Sequence, residues 1–194
     1  MKYRSLLLLG APGCGKGTQG KVLGAIPNLL HFSMGDAFRN LKKDSELGKV
    51  FVQYSSKGQL VPDDFTVKLW RQTVADLEQA KKFNAQTDTL LLDGIPRNPA
   101  QAEMMKNDLN VLAVLYLGCP DTNKLIQRLK RRALLEGRAD DANEDVIRNR
   151  LAVYEKETRP LLDFYGPNLI KEIDGSQSII ATVQDVLKVL VTLL

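Results

Sequence analysis

Cysteine is nearly missing from this 194-residue chain, with Cys14 and Cys119 as the whole complement. Two thiols cannot build a disulfide framework or a four-ligand zinc site, so a reducing compartment, the cytoplasm, is the expected location. Histidine is represented by His31 alone, which reads as a packing or hydrogen-bonding residue, not a general base. No run of eighteen apolar residues occurs, so no membrane-spanning helix is expected. Lys2 and Arg4 ahead of Leu6 to Leu9 give a faint likeness to a secretory signal. That stretch is too short, and a glycine-rich loop stands where a cleavage site belongs. Long tracts of one charge sign are missing too. Despite a net charge of +4, the basic residues recur singly or in short groups beside glycines and acids, Arg128 to Arg132 excepted. That pattern suits a collector of polyphosphates better than a binder of nucleic acid. Internal repeats and low-complexity segments are lacking as well.

What is present is ordinary globular composition, 44% hydrophobic and 26% charged, at a length that suits one domain with small excursions. Short apolar runs alternate with amphipathic stretches, the signature of a parallel sheet covered by helices. Ser5–Leu9, Thr89–Leu92 and Val111–Leu117 read as strands buried on both faces, and Leu29–Ser33 and Leu169–Ile173 as weaker ones. Lys16–Leu23, Asp63–Lys82, Asp121–Leu135, Asn143–Tyr165 and Ile179–Leu194 read as helices. Two stretches break the alternation: Met34–Pro62 is helical but too polar to cover a sheet, and Arg132–Asp141 is a short charged loop around Gly137. Both read as mobile pieces inserted at one edge of the core.

The first strand runs directly into Gly10-Ala-Pro-Gly-Cys-Gly-Lys-Gly-Thr18 and then into a helix. A phosphate cradle needs backbone N–H groups that approach closely, which explains Gly10, Gly13, Gly15 and Gly17. The helix start adds its unpaired N–H groups and dipole, and Lys16 adds a movable point charge for the β- and γ-phosphates. Strand, loop and helix together define a P-loop. Cys14 within it reads as a small space-filling residue. Gly17 stands where the usual motif has a Ser or Thr that meets magnesium, so the metal is expected on phosphates, water and a carboxylate from elsewhere. Asp93, closing the apolar run Leu90–Leu92, is the natural carboxylate, with capping of the next helix as its alternative use.

Taken together, Gly10–Gln19, Leu90–Ala102 (which contains Asp93-Gly-Ile-Pro-Arg97) and Gly137–Asp141 (Gly-Arg-Ala-Asp-Asp) resemble the signature segments of adenylate kinases. The likeness runs from about residue 5 to the C-terminus and is to the short-lid form without zinc. It implies a P-loop NTPase-type α/β fold, with a five-stranded parallel sheet flanked by helices, a helical monophosphate-binding arm (33–62) and a lid (132–141). The core would be 1–32, 63–131 and 142–194. The implied activity is reversible transfer of the terminal phosphate of Mg-ATP to AMP, giving two ADP and maintaining adenine nucleotide balance. A monomer is implied, with no nucleic-acid or membrane partner.

By matching position, the resemblance puts ATP phosphates on Gly13, Cys14, Gly15, Lys16, Gly17 and Thr18, Arg128 over the ATP base and the backbone of Gln177 at its adenine. Met34, Arg39, Gln59, Leu60, Val61, Gly94, Ile95, Pro96, Arg97 and Gln101 would form the AMP site. Arg39 and Arg97 would hold the AMP phosphate, and Gln101 would read the base. Arg132, Arg138 and Arg150 would bracket the phosphates being exchanged, and Asp93 would meet magnesium through water.

The residues read alone agree. Two polyphosphates brought end to end repel, so a transfer enzyme needs several fixed cations around the moving group. Arg128, Arg131 and Arg132 share one helical face, although Arg131, Arg148 and Arg159 read as solvated surface charges. Transfer between oxygens that are already anionic needs no general base. Two departures from the pattern stand out. Met34 places a thioether where a threonine hydroxyl is usual, and Ala142 is one residue more than the pattern has after Asp140–Asp141. A UMP/CMP kinase is the nearest rival, opposed by Gln101 where that family carries asparagine. A GTPase-type switch lacks its guanine-reading element, because Asn123-Lys124 is followed by Leu125 and Ile126.

Overall fold

The computed structural model describes residues 2–42, 44–138 and 141–194. Ala139 and Asp140, part of the expected lid, therefore lie outside the described residues, as does Met1. Five parallel strands form one sheet in the order β2-β3-β1-β4-β5: β1 Tyr3–Leu9, β2 Leu29–Ser33, β3 Thr89–Asp93, β4 Leu109–Gly118 and β5 Ile170–Asp174. The strand alternation sorts their side chains between two layers. Leu7, Leu9, Leu90 and Leu92 face Val67, Trp70 and Val74 of α4 (Asp63–Gln79) and Ala102 and Met105 of α5 (Pro99–Met105). Leu6, Leu8, Leu91 and Leu115 face Leu23 of α1 (Lys16–Leu23), Leu125 of α6 (Thr122–Glu136) and Val186 and Leu190 of α9 (Ile179–Leu190). Covered on both sides, the central strands are continuous apolar runs, as parallel strands must be.

Helix starts follow local chemistry. Asp121, Asn143 and Ser178 accept hydrogen bonds from the first-turn amides of α6, α7 (Glu144–Val153) and α9. Asn98 does the same for α5, a helix the apolar periodicity alone does not announce, with Pro99 just inside its start. The single helix expected over Asn143–Tyr165 is instead three pieces: α7, a π-helical turn Tyr154–Thr158, and α8 (Leu161–Tyr165). Pro160 has no N–H to continue the ladder, and the wider π turn precedes it. Tyr154 and Leu161 are both buried, so the apolar spacing survives the break that it conceals.

The excursion after β2 carries α2 (Met34–Arg39), capped by Ser33, and α3 (Glu46–Ser55), capped by Ser45. Phe38 and Phe51 stack at 5.1 Å and join the two helices. After β1 the chain turns to one side of the sheet, and after β3 it crosses to the other. That reversal opens a crevice beyond the carboxyl ends of the strands, the place where open α/β sheets bind ligands.

Candidate active site

The loop after β1 fills that crevice. Gly10 and Gly13 have φ of +145° and +87°, and a Cβ at either would press into carbonyl oxygens, Leu117 O at 2.5 Å and Leu125 O at 2.9 Å. Only glycine fits there. Among the described residues, the amides of Gly13, Gly15, Lys16, Gly17 and Thr18 reach no backbone or side-chain acceptor, whereas that of Cys14 donates to Ala11 O at 3.1 Å. The cradle thus offers five N–H groups in and after the loop at the start of α1, a fitting receptor for phosphate oxygens. Cys14 stands apart from it. Its amide is already committed and its side chain is buried, filling space beneath Gly10. Lys16 Nζ donates to Gly10 O at 2.6 Å and Ala11 O at 3.0 Å, so the lysine arches back over the loop.

Asp93 ends β3 level with Leu8 of β1 and Ser33 of β2. A Cβ on Gly17 would lie 3.7 Å from Asp93 Oδ2, so the missing side chain leaves room beside the carboxylate. No group of three or more His, Cys, Asp or Glu able to hold a metal occurs among the described residues. One carboxylate with room beside it fits a hydrated magnesium that arrives with phosphates, a cation that keeps several waters and uses one or two protein carboxylates. His31 packs its ring against Gly20 and sets Nε2 3.8 Å from Asp93 Oδ2, without a hydrogen-bond partner.

One cavity of about 720 Å³ is bordered by the cradle, Asp93 and nearly all the other expected residues: Met34, Arg39, Gln59, Leu60, Val61, Gly94, Pro96, Arg97, Gln101, Arg128, Arg132, Arg138, Arg150 and Gln177. Ile95 is the exception. Its side chain is turned into the core, packed with the α4 and α5 side chains, so only its neighbours Gly94 and Pro96 border the cavity. Met34 borders the cavity yet is only 2% exposed, packed in the same core cluster as Phe38 and Val61. Arg131 is exposed as expected but also borders the cavity, while Arg148 and Arg159 pair on the surface with Glu144 and Glu155.

The arginines are held by carboxylates. Asp141, fully buried, accepts from Arg132 Nε at 2.7 Å and is also bound by Arg150 Nη1. Arg132 Nη2 lies 2.6 Å from the same Asp141 oxygen as an ion-pair contact, out of line for a hydrogen bond. Burial pulls the Arg132 guanidinium below its ordinary range; Asp141 counteracts this, and the like charges of Arg138 and Arg150 add to it. Arg138 pairs with Glu136 at 2.7 Å and Arg39 with Asp36 at 2.6 Å. Burial pushes the Asp36 carboxyl up, but hydrogen bonds with Arg39 and Ser33 and the charges of Arg39 and Arg138 outweigh it, leaving the group below the usual range. Arg138, in the segment 132–141, is therefore near enough for its charge to act on Asp36, in the segment 33–62.

Arg128 donates to Gly175 O at 2.8 Å and Ser176 O at 3.3 Å, and reaches Gly13 O at 3.5 Å, tying the cradle to the loop after β5. The Gln177 side chain is spent on Asp185 and Asp174 O, which leaves its main chain for the cavity. Gln101 is 1% exposed; its Oε1 accepts from Arg97 N–H at 2.7 Å and its Nε2 donates to Asp63 Oδ1 at 2.7 Å. The part played by Asp63 was not foreseen, and with the partners 38 positions apart no local pattern signals it.

A P-loop at the reversal point of a parallel sheet, bordering one cavity together with a group of arginines, defines a nucleotide-binding phosphotransferase class. The adenylate kinase family model matches residues 8–169. The chain is 38% identical to an adenylate kinase of Flavobacterium psychrophilum, covering 95% of this chain and 94% of that one. It is 40% identical to an adenylate kinase of Thermobifida fusca, covering 88% and 89%, and 32% identical to one from Staphylococcus aureus, covering 96% and 98%. The chain belongs to the adenylate kinase family.

Proposed function

We propose that this chain transfers the terminal phosphoryl group of Mg-ATP reversibly to AMP, giving two ADP. The observation that carries the reading is that the P-loop cradle, Arg39 and Arg97 all border one cavity. The open amides of Gly13 and Gly15 to Thr18 bind ATP phosphates, and Lys16 swings from the loop carbonyls to the β- and γ-oxygens. Arg39 and Arg97 hold the AMP phosphate, so the attacking oxygen lines up with the phosphorus. Arg132, Arg138 and Arg150 neutralise charge on the equatorial oxygens as the group crosses. Asp93 would hold magnesium through water, and the ion would supply positive charge to the phosphates when bound.

Residues 33–62 and 132–141 act as arm and lid that exclude water from the transfer. Support comes from the approach of the two segments, since the charge of Arg138 acts on Asp36, and from the contact of the first with the core, where Lys57 O accepts from Asn149 of α7 at 2.6 Å. No helix of the described residues is long and apolar enough to cross a membrane. Two free thiols suit a cytoplasmic setting. The test is a coupled assay of ADP release from Mg-ATP with AMP, CMP, UMP and GMP as acceptors. AMP should lead by a wide margin; a lead for CMP or UMP would make the chain a pyrimidine monophosphate kinase instead.

A further inference from the structure

A glutamine amide can turn over about its last bond, exchanging oxygen and nitrogen, so a base-reading glutamine is informative only if something prevents that. At Gln101 both neighbours do. The Arg97 N–H can only donate, and it meets Oε1 at 2.7 Å. The Asp63 carboxylate, when ionised, can only accept, and it meets Nε2 at 2.7 Å. Turned over, the amide would set donor against donor on one side and acceptor against acceptor on the other. Asp63 is itself fixed. It stands in the first turn of α4, where the helix dipole favours a negative charge. Its Oδ1 also accepts from Asn98 Nδ2 at 3.0 Å, and the Asn98 amide is oriented in turn by capping Gln101 N at 2.7 Å.

We propose that Asp63 is a positioning residue that locks the Gln101 amide in one orientation, so that the acceptor site selects bases pairing an exocyclic amine with an unprotonated ring nitrogen over their oxo counterparts. The inference rests on the reading of Gln101 as the residue that meets the acceptor base. Its two neighbours use one lone pair of Oε1 and one hydrogen of Nε2, leaving one acceptor and one donor on a residue that borders the cavity. Adenine offers an amine hydrogen to the acceptor and ring N1 to the donor. Hypoxanthine offers a carbonyl and a ring N–H, the reverse order, which only a turned amide would match. With the phosphate end of the nucleotide held by arginines, the base cannot invert to compensate. The same logic favours cytosine over uracil among pyrimidines.

The experiment compares kcat/KM for AMP and for inosine monophosphate, which differ only at this edge, at saturating Mg-ATP. The forms are wild type, Asp63→Asn, Asp63→Ser, Gln101→Ala and the Asp63→Asn/Gln101→Ala pair, each checked by thermal melting. An asparagine or serine at position 63 can donate as well as accept, so it no longer penalises the turned amide. Wild type is expected to prefer AMP by about a hundredfold or more, since buried polar groups are left unpaired by the wrong edge. Asp63→Asn should narrow that preference roughly tenfold by raising use of inosine monophosphate, with the KM for ATP unchanged. Asp63→Ser should act in the same sense, and Asp63→Asn should not alter the ratio once Gln101 is alanine. A merely structural Asp63 would lower both rates and keep their ratio. An unaltered ratio in folded Asp63→Asn and Asp63→Ser, beside a wild type that prefers AMP, overturns the lock. A wild type that makes no ADP from AMP removes the acceptor reading itself, and the lock with it.

Discussion

Arg132 donates from Nε to Asp141 across 2.7 Å, and Asp141 has no exposed surface. The same carboxylate binds Arg150, so two arginines from different helices share one buried counter-charge that fixes their distance. Replacing Asp141 by asparagine removes that charge and keeps the shape. Loss of one partner from a buried ion pair costs about 3 kcal/mol, which corresponds to a fall in Tm of roughly 10 °C for a chain of this size. Turnover should fall at least tenfold as the guanidinium groups lose their fixed spacing. Scanning calorimetry and initial rates check both; an unchanged Tm would mean that the cluster contributes nothing to the fold.

Lys16→Met should lower turnover by about two decades or more while the protein stays folded, because a cation that stabilises the transition state is lost from a surface loop. The bonds to Gly10 O and Ala11 O vanish with it, so a Tm loss of a few degrees is expected as well. Near-normal turnover in the folded variant would remove Lys16 from the phosphate site.

Met34 is almost entirely buried beside Phe38 and Val61, so it serves packing first. Met34→Thr leaves a void and brings a hydroxyl into apolar surroundings, at a cost of about 2 kcal/mol. AMP should bind more weakly, by roughly threefold or more, with ATP affinity held constant. Tighter AMP binding in the threonine variant would show that the hydroxyl reaches the base and that Met34 is a lost contact.

Gly58 packs the segment 33–62 against α7. Its φ is +69°, and a Cβ there would stand 2.9 Å from Val146 O and from Arg150 Cγ. Gly58→Ala therefore strains the backbone by about 1–2 kcal/mol and pushes the arm off the helix that carries Arg150. The expected readout is a KM for AMP raised roughly tenfold with that for ATP unchanged. Equal KM values for AMP in both forms would mean that this contact plays no part in acceptor binding.

Legibility in the sequence followed the range of the forces involved. The β1 strand, the glycine loop and α1 are contiguous, and each glycine has a local reason, so Gly10 to Thr18 could be read directly. Asp93 was visible because a carboxylate closes an apolar strand. The break between α7 and α8 was hidden because the π turn kept Tyr154 and Leu161 on the apolar stripe, although Pro160 marked the spot. Helix α5 was not expected, because Asn98 and Pro99 mark its start with a capping signal that no apolar periodicity supports. Ile95 was assigned to the site as part of a motif, whereas its aliphatic side chain has a better solvent in the core. The Asp63–Gln101 and Asp141–Arg150 contacts are tertiary, made when separate elements pack, and no spacing along the chain encodes them.

Arg97→Ala tests the two-site account most directly, through initial rates of ADP formation as AMP and Mg-ATP are varied in turn. A charge-assisted contact to the acceptor phosphate is removed, so the KM for AMP should rise by about tenfold to a hundredfold while that for ATP stays within a factor of two. A raised KM for ATP with that for AMP unchanged would reverse the assignment of the two sites and contradict the account.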